Sequence, residues 1–111
     1  MQIKVEQKGD VTIIKYLGNI DSDAYGVFKQ TFEILIANNN FKIVVDLSDV
    51  SFISSAGWGV FIGNLQKIRK NGGDIRLAEM REEVKNIYLT VNFNELLKSY
   101  DTLNEAIESF G

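Results

Sequence analysis

Ser54 and Ser55, followed by Ala56-Gly57-Trp58-Gly59, are the residues whose types and spacing could do chemistry in this chain. They stand beyond an apolar run that ends near Leu47, at the point where a helix is expected to begin. The first amides of a helix have no intrahelical partner, and that end carries a partial positive charge, so it welcomes an anion. Gly57 and Gly59 leave the backbone uncovered, which permits close approach by another molecule. Glycine in a helix costs roughly 1 kcal/mol relative to alanine, so two in one turn need a reason. Spacing alone favours a plainer one: a serine that caps the helix, and glycines that let helix and sheet pack tightly.

Most other chemistry is excluded by composition. The chain has no histidine and no cysteine, which removes the usual zinc sites, disulfides, and the Ser-His and Cys-His nucleophile pairs. No Gly-x-Ser-x-Gly elbow is present, and nothing positions a lysine as a base for Ser55. Carboxylate sites for magnesium or calcium stay open in principle, but no metal site, cofactor or catalytic residue is assigned. The net charge of −3 argues against a nucleic-acid partner, and Lys67, Arg69 and Lys70 read as a solvated helix face. The first residues alternate apolar and polar with no apolar signal-peptide core, and no apolar stretch is long enough to span a bilayer. A cytoplasmic protein without a membrane partner is therefore expected. Residues 1–111, 45% hydrophobic and 24% charged, are expected to form one globular domain.

The elements that must position the serines follow from periodicity. Ile3 and Val5 alternate with polar neighbours, and Val11 to Leu17 is β-branched, which predicts a hairpin around Lys8-Gly9-Asp10. Asp21, Ser22 and Asp23 are candidate caps for a helix whose apolar stripe is Tyr25, Phe28, Phe32 and Leu35, stopped by Asn38-Asn39-Asn40. Phe41 to Leu47 reads as a central strand buried on both faces. The helix opened by Ser54-Ser55 carries Val60, Phe61, Leu65 and Ile68 and closes at Asn71-Gly72-Gly73. A strand over Asp74 to Ala78 follows, then a helix over Glu82 to Thr90 with Val84, Ile87 and Tyr88 on its buried side. Asn92-Phe93-Asn94 suggests a turn, Leu96 and Leu97 a short edge strand, and Thr102-Leu103-Asn104-Glu105 the capping box of a last helix. This order predicts an α/β fold: a mixed four- to five-stranded sheet with parallel segments, covered by about four helices.

The stretch Asp46-Leu47-Ser48-Asp49-Val50-Ser51-Phe52-Ile53-Ser54-Ser55-Ala56-Gly57-Trp58-Gly59 resembles the signature of the anti-sigma factor antagonist branch of the STAS family. That signature is approximately Asp-Leu-Ser-x-Val-x-Phe-hydrophobic-Asp-Ser-Ser/Thr/Ala-Gly-Leu-Gly. Gly18-Asn19-Ile20-Asp21 is similar to the family's turn after the second strand, and Lys70-Asn71-Gly72-Gly73 before Asp74-Ile75-Arg76-Leu77 to its helix-Gly-Gly-strand passage. The resemblance covers nearly the whole chain and implies the STAS fold.

By the same resemblance, Ser55 corresponds to a phosphorylated serine, and Asp21 and Asp46 to acidic positions near it. It implies a non-enzymatic binding module. The unphosphorylated form would bind a GHKL-type kinase that is also the anti-sigma factor, and would free the sigma factor. Phosphorylation by that kinase would end the binding, and a PPM-type serine phosphatase would reset it. The partner surface would comprise Asp21, Asp46, Ser54, Ser55, Ala56, Gly57, Trp58 and Gly59. Two positions depart from the pattern. Ser54 replaces the usual acid and is itself a second candidate acceptor. Trp58 replaces the usual leucine; exposed, it would anchor a partner, and buried, it would fill the core.

Two other functions compete with this one. A phosphoaspartate receiver would use Asp46, but lacks the acidic pair for magnesium after its first strand and the late Lys-Pro, since the chain has no proline. A STAS scaffold or interaction subunit of another assembly, stressosome-like or part of a transport complex, is the stronger alternative, because a fold does not fix a function.

Overall fold

The computed structural model describes residues 2–111. Strands β1 (Gln2–Lys8) and β2 (Val11–Leu17) pair antiparallel. Gly9, at φ +60°, supplies the left-handed conformation that their two-residue turn requires. Helix α1 (Tyr25–Ala37), β3 (Lys42–Asp49), α2 (Ser55–Lys70), β4 (Asp74–Ala78) and α3 (Glu82–Thr90) then alternate. A 3-10 turn over Phe93–Glu95, the short β5 (Lys98–Tyr100) and α4 (Leu103–Glu108) complete the chain.

The sheet order is β1-β2-β3-β4-β5, antiparallel at β1-β2 and parallel at each later pairing. Parallel neighbours cannot be joined by a tight turn, so α1, α2 and α3 serve as the crossovers. Side-chain alternation divides β3 between two cores. Ile43, Val45 and Leu47 face α1, α2 and α3, while Val44 joins Val11, Ala78 and Ala106 under α4. Burial on both faces is what the continuous apolar run of this strand predicts. In the larger core Phe28 meets Tyr16, Phe32 and Phe61 edge-on, with ring centroids 5.2–5.7 Å apart.

Helix ends are set by the expected residues. Asn39 at φ 62° ends α1, and Gly72 at φ +83° ends α2. At Gly73 a Cβ would lie 1.8 Å from the Phe41 carbonyl oxygen, so only glycine lets the chain enter β4 beside Phe41.

Two expectations are corrected. The edge strand is Lys98–Tyr100, not Leu96 and Leu97. The 3-10 turn draws the Leu97 amide onto the Phe93 carbonyl (2.8 Å), and the Leu97 carbonyl accepts from the Tyr88 hydroxyl, so pairing with β4 starts only at Lys98. Ile87 is half exposed rather than buried. In the short α3 the inward stripe is set by Val84 and Tyr88, four residues apart, and Ile87 falls on its flank.

Candidate functional site

The ends of β2 and β3 continue as a pair of stitched loops. The Ile20 amide donates to the Phe52 carbonyl (2.9 Å), and the Ser54 amide donates to the Ile20 carbonyl (2.8 Å). The Asn19 side-chain oxygen accepts from both the Ser51 amide (3.1 Å) and the Ser51 hydroxyl (2.8 Å). These bonds hold the Gly18–Asp21 loop against the segment that delivers the two serines.

The geometry separates the two hydroxyls. Ser54 is the N-cap of α2; its backbone is extended and its Oγ accepts from the Gly57 amide at 3.1 Å. Ser55 is the first residue of α2, and its side chain is exposed. Among the described residues its Oγ makes no hydrogen bond. Ala56 and Gly59 are likewise exposed on this end of the helix.

Gly57 is buried, so of the two readings of this glycine the one that spacing favours, tight packing, holds, and it does not open the backbone to another molecule. A Cβ there would meet Ile20 Cγ2 at 2.8 Å and Ile53 Cγ2 at 2.9 Å. This glycine serves the close packing of α2 on the stitched loops. Gly59 has open space around it and remains accessible. Trp58 is only 4% exposed, so the exposed-anchor alternative is set aside. Its ring stacks on Tyr88 and packs on Phe93 and Phe61. It points toward α3 because it lies on the same helical face as Phe61 and Leu65.

The two acidic positions part company. Asp21 is exposed, and its Oδ1 accepts from the amides of Asp23 (3.1 Å) and Ala24 (3.0 Å), holding the turn that leads into α1. It does not cap the helix, nor do Ser22 and Asp23; α1 starts after Ala24 with no side-chain cap. Asp46 is 6% exposed and its Oδ1 accepts from the Ser48 amide (3.0 Å). Strand alternation turns it to the α4 side of the sheet, into a depression shared with Lys4, Glu6, Lys15 and Leu103. Its expected adjacency to Ser55 is therefore corrected: the sheet lies between Asp46 and α2. Lys67, Arg69 and Lys70 are exposed on the last turn of α2, far along the helix from Ser55.

Sequence periodicity did not single out a groove of about 470 Å³ beside Ser55. It lies between the Ser51–Ile53 segment, the start of α2 and α3, and its walls include Phe52, Trp58, Glu83, Val84 and Ile87. Phe52 and Ile87 are 52% and 51% exposed, and both line this one groove. Beneath the Asp21 loop, the buried Tyr16 hydroxyl has no partner among the described residues. Burial pushes its phenol up from the ordinary tyrosine value, and the Asp21 carboxylate adds to the rise.

Chemically, an exposed hydroxyl at a helix start can receive a phosphoryl group brought by another protein, and the helix end can bear the added charge. The chain has no histidine to serve Ser55 as a general base in acyl transfer. Among the described residues no cluster of three His, Cys, Asp or Glu could hold a metal, and no helix is long and apolar enough to cross a membrane.

Comparison with known proteins gives a consistent picture. The family profile described as STAS domain matches residues 2–106. A Thermotoga maritima protein named as a candidate anti-sigma factor antagonist is 31% identical over 100 residues, covering 89% of this chain and 88% of its own. The crystal structure of a candidate anti-sigma factor antagonist from Thermotoga maritima has a TM-score of 0.86 at 29% identity, covering 97% of this chain and 93% of that one. A Bacillus cell fate determinant, solved in its phosphorylated form, has a TM-score of 0.75 at 17% identity, covering 99% of this chain and all of that one. At that identity the likeness is one of fold alone.

Proposed function

On the premise that this chain belongs to the STAS domain family, among relatives named anti-sigma factor antagonists, we propose that it is a partner-switching antagonist controlled at Ser55. Its unphosphorylated form binds a GHKL-type anti-sigma factor that is also a serine kinase, and so releases the sigma factor. Phosphorylation of Ser55 ends that binding, and a PPM-type phosphatase restores it. Residues 1–111 act as one domain, in the cytoplasm.

The observation that carries this is the contrast between the two serines. Ser54 spends its hydroxyl on the Gly57 amide, whereas Ser55 presents its own to solvent at the first position of α2. A phosphoserine carries about −1.5 to −2 charges at neutral pH. The α2 N-terminus can tolerate that charge within the protein's own fold. A partner pressed against it must desolvate it beside the acidic loop of Asp21, whose Ile20 carbonyl accepts from the Ser54 amide. A penalty of about 1.4 kcal/mol is already tenfold in affinity, so the fold itself need not change.

A paired capture from native lysate, with wild type, Ser55→Ala and Ser55→Asp as baits, tests this. Wild type and Ser55→Ala are expected to retain one GHKL-type kinase, identified by mass spectrometry, and Ser55→Asp to lose it. Equal retention by Ser55→Ala and Ser55→Asp would remove Ser55 as the switch and favour a scaffold role.

A further inference from the structure

We infer that the groove between Phe52 and α3 is the docking pocket for the kinase partner: it receives one large apolar side chain, flanked by a lysine or arginine that pairs with Glu83. The inference rests on the function proposed above and names the surface that selects the partner. A kinase that transfers a phosphoryl group to Ser55 Oγ must cover the mouth of this groove, because Ser55 forms part of its wall. Phe52 and Ile87, each half exposed, both line the groove and gain burial when an apolar group enters it. The floor is already rigid, since Trp58 is fixed by Tyr88 and Phe93, so little ordering cost attends the entry of an apolar group.

The charge of the groove selects the flanking residue. Glu83 lies on the wall, Glu82 is beside it, and neither has an ion-pair partner among the described residues. Arg81 and Lys85, each two positions from Glu83, are engaged elsewhere: Arg81 Nε donates to the Ser48 carbonyl at 2.8 Å and its guanidinium lies 3.9 Å from Asp49, while Lys85 Nζ lies 3.7 Å from Asp101. Both acids sit in the first turn of α3, where they favour the helix without needing a partner. A cation brought by the kinase would neutralise Glu83 in the closed groove. After phosphorylation the same closure traps Glu83 and a phosphate against one cation. The surplus negative charge, cut off from water, opposes docking.

The test uses the kinase captured by the wild-type protein, purified, with dissociation constants measured by calorimetry. Ile87→Asp and Glu83→Lys are each expected to weaken binding at least tenfold. Ile34→Asp, an equally exposed apolar position on the outer face of α1, is expected to change it less than twofold. Thermal midpoints of all variants, together with Glu83→Gln, separate loss of docking from loss of fold. Reversal of the partner's pairing lysine or arginine to glutamate should restore binding to Glu83→Lys. If Ser55→Asp weakens binding while Ile87→Asp and Glu83→Lys leave it unchanged, the pocket is overturned and the switch stands. If Ser55→Asp is also without effect, both fall. The pocket is equally overturned if sedimentation shows that Ile87→Asp merely dissociates a self-dimer of this chain while kinase affinity stays the same.

Discussion

Tyr16 carries a hydroxyl that is fully buried and has no partner among the described residues. Leaving such a group unsatisfied costs about 1–3 kcal/mol, whereas a phenyl ring in the same place costs nothing of the kind. Tyr16→Phe is therefore expected to raise the stability by about 1 kcal/mol in urea unfolding. The folded state also holds the phenolic proton to higher pH than the unfolded chain does, first through burial and then through Asp21. The stability tied to that proton is fully present below about pH 10 and is lost as pH rises through the raised folded value. Tyr16→Phe should lose less stability than wild type over that alkaline range. A drop in stability at neutral pH would mean that a bridging water satisfies the hydroxyl.

Single residues were also where the sequence was least decisive. Ser54 and Ser55 are chemically identical, and only backbone position assigns one to the cap and leaves the other free. Trp58 shows the same ambiguity, because tryptophan suits a core and an interface alike. Gly57 and Gly59 are two residues apart in one helix, yet one is pressed against Ile20 and Ile53 and the other faces open space. No residue-type preference separates these cases; the orientation of α2 on the sheet does.

Among the elements, β4 is the hinge between the two cores. Asp74, 6% exposed, accepts from Arg69 Nε at 2.9 Å, Arg76 Nε at 3.0 Å and the Ile75 amide at 3.0 Å. Arg76 in turn donates to the Ser109 carbonyl at 2.6 Å and lies over the Phe110 ring at 4.1 Å. One carboxylate thus ties the end of α2 to the end of α4 across the sheet. Asp74→Asn leaves Arg76 largely buried without its counter-charge, a change that typically costs about 3 kcal/mol. Because α4 has six residues and depends on its docking, its amides should lose exchange protection before those of β3. Unchanged stability in Asp74→Asn would show that the ionic link contributes nothing net.

Most of these elements were legible in the sequence. The Gly9-Asp10 turn, the asparagine stop after α1, the Gly72-Gly73 exit and the Thr102 cap each leave a specific residue type at a specific place. Asp46 was not legible. β3 is apolar on both faces, so it has no alternation to reveal which face a given side chain takes. Ile87 failed for a related reason: nine residues of helix with four apolar positions, Val84, Ile87, Tyr88 and Leu89, fit more than one inward stripe.

At the scale of the whole molecule, the parallel run of β2, β3 and β4 explains why the candidate site lies where it does. These strands end on one edge of the sheet, so the Gly18–Asp21 loop, the Ser51–Ser54 segment and the start of α3 gather there. Open α/β sheets bind their ligands at that edge. The alternation of strands and helices was enough to expect such an edge. It could not show the groove, because Phe52 comes from a loop and Glu83 and Ile87 from a helix some 30 positions later along the chain.

The chain contains one tryptophan, and it lies in the wall of that groove. Trp58 therefore makes the protein its own fluorescent reporter, with no other indole to confuse the signal. Sealed against Tyr88 and Phe93, it should emit toward the blue in the resting state. Occupation of the groove changes the surroundings of that ring directly, and a phosphate three residues earlier in the same helix does so through its field. Emission spectra recorded during phosphorylation and during titration with the kinase should each shift. A spectrum indifferent to both would place the switching events away from this groove.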